Sequence, residues 1–159
     1  MKIFGMALIL FSSLIFCREK SRAAERRVMV LEEIFRLADA MKIEIGCYLR
    51  PIGEIVSSFS SPILSECGFI SDFVSLGAYE AYLRLQSQLC FNEEEKNLLG
   101  TFFSRLGRGY AEDEIKLIEV FSSQLSAMLK KERENLPRQK KLSATLSCAA
   151  ALAVIILLV

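Results

Sequence analysis

The chain has 159 residues, with 20 bases, 19 acids, five cysteines and no histidine. The missing histidine removes imidazole acid–base catalysis, the Ser-His-Asp triad and the usual zinc ligand sets, and no two cysteines have CxxC spacing. The near-neutral total hides segregation: residues 28–129 carry eight bases and fifteen acids, a net of −7, while both flanks are basic. An acidic body repels phosphates, which argues against nucleic-acid binding.

Met1–Cys17, MKIFGMALILFSSLIFC, opens the chain and runs into Arg18, Lys20, Arg22, Arg26 and Arg27. A membrane helix takes about 17–25 apolar residues, a length this segment reaches if Lys2 snorkels to the headgroups. Charge begins where a neutral cleavage region would lie, and Phe16 is not the small residue that lipoprotein processing needs before Cys17. The segment is therefore expected to stay. From Arg18 to about Leu49 there is no proline and no glycine before Gly46. Val28, Leu31, Phe35, Ala38, Met41, Ile45 and Tyr48 step by three or four, which predicts one long amphipathic helix continuous with the span. Pro51 breaks it.

Ile52, Ile55, Val56 and Phe59 predict a short second helix, and Ser57–Pro62, SSFSSP, a turn. Ser61 and Pro62 suit the N-cap and first position of a third, which Cys67-Gly68 ends. Residues 69–89 read as helix interrupted at Gly77, with apolar contacts from Tyr79, Tyr82, Leu83 and Leu89. Asn92 before Glu93, Glu94 and Glu95 is a helix start, capped and complementary to the helix dipole. Leu98, Leu99, Phe102, Phe103 and Leu106 give that helix its face, and Gly107 stops it.

Glu112, Asp113 and Glu114 open the last long helix, with Ile115, Ile118, Phe121, Leu125 and Met128 as its stripe. Pro137 is expected to separate it from a final apolar segment, Leu142–Val159, LSATLSCAAALAVIILLV. Lys130, Lys131, Arg133, Arg138, Lys140 and Lys141 lie just before that segment. Positive charge stays on the cytoplasmic side, so both basic flanks place the middle of the chain there. The expected organisation is an N-terminal span at 1–17, a cytoplasmic body at 18–141 and a C-terminal span at 142–159. No strand alternation is evident. The fold class is all-α, an antiparallel helical bundle tethered by a transmembrane helix at each end.

Cys47, Cys67 and Cys90 sit among apolar neighbours and are expected to be reduced core residues, and the four tyrosines core-edge residues. Gly100, Gly107 and Gly109 lack the spacing of a phosphate loop, and the acidic triplets are helix starts rather than metal sites. No catalytic residue, cofactor, metal or small-molecule substrate is indicated. What remains is interaction through helix faces and with the bilayer. Glu44, Pro51 and Glu54 stand together where the long first helix breaks, a natural corner for a partner.

The whole chain resembles the stage III sporulation protein AB family. The resemblance rests on order and spacing: a short apolar start, a basic stretch and a long helix, then Glu44-Ile45, Pro51 and Glu54. Phe102–Gly107, FFSRLG, follows, then the charged helix with Lys130-Lys131-Glu132-Arg133, and a basic approach to a terminal span. The terminal span here has no glycine, offering Ser143, Ser147, Ala144 and Cys148 as small residues instead. The resemblance implies a non-enzymatic membrane platform subunit of the transenvelope, secretion-like apparatus between mother cell and forespore. It implies a soluble domain similar to the cytoplasmic domains of the type II secretion inner-membrane platform protein. The implied partners are a cytoplasmic secretion-type sporulation ATPase and other membrane subunits, and the implied location is the mother-cell membrane facing the forespore. The alternative from the residues alone is a membrane-anchored helical sensor or signalling adaptor.

Overall fold

The computed structural model describes the backbone of residues 2–158 and the side chains of residue 19 and residues 22–135. The described secondary structure is all helical, in the order α1 (Lys2–Tyr48), α2 (Ile52–Ser58), α3 (Pro62–Glu66), α4 (Phe69–Leu76), α5 (Ala78–Gln88), α6 (Glu93–Arg105) and α7 (Ala111–Leu158). The chain forms two compact units, Arg27–Lys130 and, separately, Met1–Arg26 with Lys131–Val159. Among the described residues no helix is long and apolar enough to cross a membrane. The side chains of both expected spans, 1–17 and 142–159, lie outside the described residues.

Within Arg27–Lys130, each helix starts and stops for a local reason. α1 has no internal breaker, and Leu49 closes it by turning left-handed, its N–H donating to the Ile45 carbonyl at 3.2 Å. Pro51 occupies the N-cap of α2 in extended backbone. The Ser61 side chain accepts from the Leu64 N–H and caps α3, with Pro62 supplying a preset φ. Gly77, at φ 95°, makes the break between α4 and α5 that a side chain would strain. Asn92 and Glu95 form a reciprocal capping box on α6, each bond 2.8 Å.

Packing then ties the short helices to the long ones. α4 packs on α2, α3 and α5, and α5 on α6. Lys42 and Glu119 pair at 2.9 Å, and a Cβ on Gly46 would come within 3.6 Å of Ile115. Those two contacts, rising along α1 as they fall along α7, run the two helices antiparallel. Aromatic rings link the layers. Phe73 meets Phe69 on α4, Phe69 meets Phe103 on α6 at 5.5 Å, and Phe102 stacks on Phe121 of α7 at 3.8 Å. Tyr82 of α5 stacks on Phe103, and its hydroxyl donates to the Lys96 carbonyl at 2.9 Å. Such ring pairs contribute about 0.5–1.5 kcal/mol each beyond their burial.

Several expectations need correction. The buried face of α1 is wider than one stripe: Val30, Ile34 and Leu37 join it, while Phe35 is half-buried and Tyr48 exposed. A helix with neighbours on two sides buries a broad arc, and Tyr48 lies at the corner beyond them. On α4 and α5 the core comes from Phe69, Phe73, Ala81, Tyr82 and Leu85, and Tyr79 and Leu83 face outward. Both lie off the stripe of α5 that Ala81, Tyr82 and Leu85 bury. On α7, Ile115 and Met128 are half-buried and Leu129 is buried. Ser57 and Ser58 belong to α2, their hydroxyls donating to carbonyls three residues back. Cys47 and Cys90 are exposed thiols, and only Cys67 of the described cysteines is buried. Cys47 precedes the end of α1 and Cys90 lies between α5 and α6, so neither is covered. Tyr48, at the end of α1, and Tyr110, just before α7, stand well out of the core. The break expected at Pro137 does not occur, because α7 runs through it to Leu158. One proline removes one helical hydrogen bond, a loss that does not have to end a long helix.

Candidate functional site

Ser61, Glu95 and Glu114 are the buried polar or charged residues among those described, and each accepts a hydrogen bond from a backbone N–H near a helix start. That accounts for Ser61 and for the capping half of Glu95. Glu95 also faces Arg27, whose Nε lies 3.6 Å from Oε1. Glu114 is different: Oε1 accepts from the Gly109 N–H at 2.8 Å, while Oε2 is buried without a hydrogen-bond partner.

The corner between α1 and α2 brings the three sequence-chosen residues together. Glu44 is in the last turns of α1, Pro51 caps α2 and Glu54 is in its first turn. Arg50 joins them, with Nη1 3.1 Å from Glu44 Oε2 and Nε 3.9 Å from Glu54 Oε2. All three charged groups reach solvent, so each pair contributes about 0.2–1 kcal/mol. Burying a single large apolar side chain contributes about 1.5–3 kcal/mol. The corner's shape is therefore set by packing and by the backbone, and its charges are presented rather than consumed.

Leu49 sets that backbone. Its φ of 52° is left-handed, a conformation that costs a non-glycine residue about 1–2 kcal/mol. Its side chain is 74% exposed, so little burial offsets the cost. Behind it lies a groove of about 460 Å³ lined by Leu49, Arg50, Ile52, Phe73, Leu106 and Glu114, among others. A second groove of about 600 Å³ lies along the α6–α7 turn, where Arg105, Arg108 and Lys116 stand around Asp113 and Glu114. Among the described residues no group of three His, Cys, Asp or Glu could hold a metal ion. Arg50, Leu49 and Glu114 were not singled out from the sequence. Arg50 lies between α1 and α2, outside either helix, so no helical spacing announces its pair with Glu54. Leu49 carries no signal, since glycine is the residue expected at that turn.

Residues 2–159 match the family described as stage III sporulation protein AB, in agreement with the resemblance read from the sequence. The chain belongs to the stage III sporulation protein AB family. No curated protein and no solved structure matches it. Membership gives the protein a role in sporulation.

Proposed function

We propose that the protein is a non-enzymatic platform subunit of the sporulation secretion-like complex, anchored at both ends and docking a cytoplasmic secretion-type ATPase. The family match over residues 2–159 carries the reading. The body fits it: a histidine-free, acidic helical unit with an exposed, charged corner offers helix faces and no catalytic group. Met1–Cys17 and Leu142–Val159 are the anchors, and the basic flanks hold the body on the cytoplasmic side of the mother-cell membrane facing the forespore. Glu44, Pro51 and Glu54 are the docking corner.

Deleting the gene in a spore-forming host should arrest sporulation after engulfment, with a late forespore reporter silent until the intact gene is restored. Normal spores would overturn the reading in favour of a membrane-anchored sensor or adaptor. Glu44→Lys or Glu54→Lys should weaken capture of the ATPase while leaving the helical signal intact, since each removes at most about 1 kcal/mol of surface pairing. Unchanged capture by both variants would remove the corner as the interface. Fluorescent reporters that mature only in the cytoplasm should be dark at either terminus and bright when inserted at the exposed Ser60. A bright C-terminal fusion would refute the second anchor.

A further inference from the structure

We infer that the groove beside the α1–α2 corner receives a partner segment that sets an apolar side chain next to a lysine or arginine, whose cation meets Glu114. The inference rests on the docking role proposed above and names the chemistry of what docks.

Three observations converge on it. Leu49 is both strained and exposed, so the chain's own stability gives no reason for a leucine where glycine would turn the backbone freely. Its side chain instead extends the apolar wall made by Ile52, Phe73 and Leu106. Second, Glu114 is 5% exposed and lines this groove, and its Oε2 has no hydrogen-bond partner. A buried carboxylate oxygen in that state is stabilised most by a charged N–H donor. Third, the charge on the α1–α2 side of the mouth is net negative. Glu44 and Glu54 flank the groove's one lining base, Arg50, which already bridges them. The surrounding body is acidic as well, with eight bases against fifteen acids over residues 28–129. An incoming base is thus attracted at the rim and satisfied at the floor, while its apolar neighbour covers Leu49.

The chain has three competing donors of its own. Arg105, Arg108 and Lys116 line the adjacent groove that shares Glu114 and Gly109, and none of them makes an ion pair among the described residues. The test separates them from a partner's cation. Full-length protein in phosphatidylcholine nanodiscs, labelled at leucine and isoleucine methyls, is titrated with butylguanidinium and with its neutral analogue butylurea. Methyls of Leu49, Ile52 and Leu106 should shift saturably with butylguanidinium and at least fivefold more weakly with butylurea. Glu114→Gln keeps an oxygen for the Gly109 N–H and should weaken butylguanidinium at least fivefold. Leu49→Gly, which relieves the turn and so folds, should weaken both probes. No saturable shift, equal response to the two probes, or Glu114→Gln binding like the parent would overturn the inference. Binding that appears only in Arg105→Ala, Arg108→Ala or Lys116→Ala would make that residue the cation and would overturn it too. Probe binding and ATPase capture also fail separately. Capture without a probe site removes this inference alone, and a probe site without capture removes the docking role.

Discussion

Replacing Glu95 tests how the bundle tolerates a charge in its interior. The residue is 1% exposed, and its side chain does two things at once. Oε2 accepts from the Asn92 N–H at 2.8 Å, and Oε1 lies 3.6 Å from Arg27 Nε, tying the start of α6 to α1. Glu95→Gln keeps an oxygen for Asn92 and loses the charge, so it should cost about 1–2 kcal/mol. Glu95→Ala loses both. Breaking a buried pair costs about 3–5 kcal/mol, but the Arg27 side chain, 17% exposed, can still find water, which places this case near 3 kcal/mol. For a unit of about 100 residues each kcal/mol lowers Tm by roughly 4–8 °C. The Tm from circular dichroism should therefore fall by at least ~12 °C for Ala and by roughly one to two thirds as much for Gln. The reverse bond, from Glu95 N–H to the Asn92 side chain, survives in both variants. Equal Tm values for the parent, Gln and Ala would refute the ledger, because the buried carboxylate would then be holding nothing.

Burial pushes the Tyr82 phenol above its ordinary value, with Tyr79 and Glu93 adding to the effect. The neutral phenol is the folded form, so its contribution is complete below pH ~10 and is lost as pH rises above that. Denaturant titrations should show stability falling in that alkaline window, and Tyr82→Phe, which also loses the bond to Lys96, should flatten the fall while costing about 1 kcal/mol at neutral pH. Two glycines should respond with opposite signs. Gly100 lies inside α6, where a Cβ would make ordinary contact with Tyr82 at 3.5 Å, so Gly100→Ala should raise stability by about 0.5–1 kcal/mol. Gly107 has φ 79°, so Gly107→Ala should lower it by about 1 kcal/mol or more. Chemical denaturation reads both.

The helix boundaries were legible because their signals are local. Asn92 with Glu95, Ser61 with Pro62, Gly77 and Gly107 each act within four residues, and each was found where the backbone uses it. The buried faces were harder to read. Periodicity locates one stripe, but Ile34 and Leu37 are buried because α1 has neighbours on more than one side, which is a tertiary fact. Pro137 misled for the related reason that a local breaker does not end a helix supported over many turns. At the corner, Glu44, Pro51 and Glu54 were visible, but Arg50 lies outside both helices, and the turn is what brings it to both acids. Glu114 could not be told from its neighbours Glu112 and Asp113, since only the fold decides which of three adjacent acids turns inward.

The antiparallel pairing of α1 with α7 also bears on how the protein is born. The face of α1 that meets Ile115 and Glu119 is synthesised some seventy residues before them. Ribosomes add about 5–20 residues per second, so that face emerges several seconds ahead of its mate. Helices that already have their partners close in microseconds to milliseconds. The nascent chain therefore spends nearly all of its folding time waiting, and its yield in a cell depends on what shields Leu31, Ile34, Leu37 and Met41 in the interval.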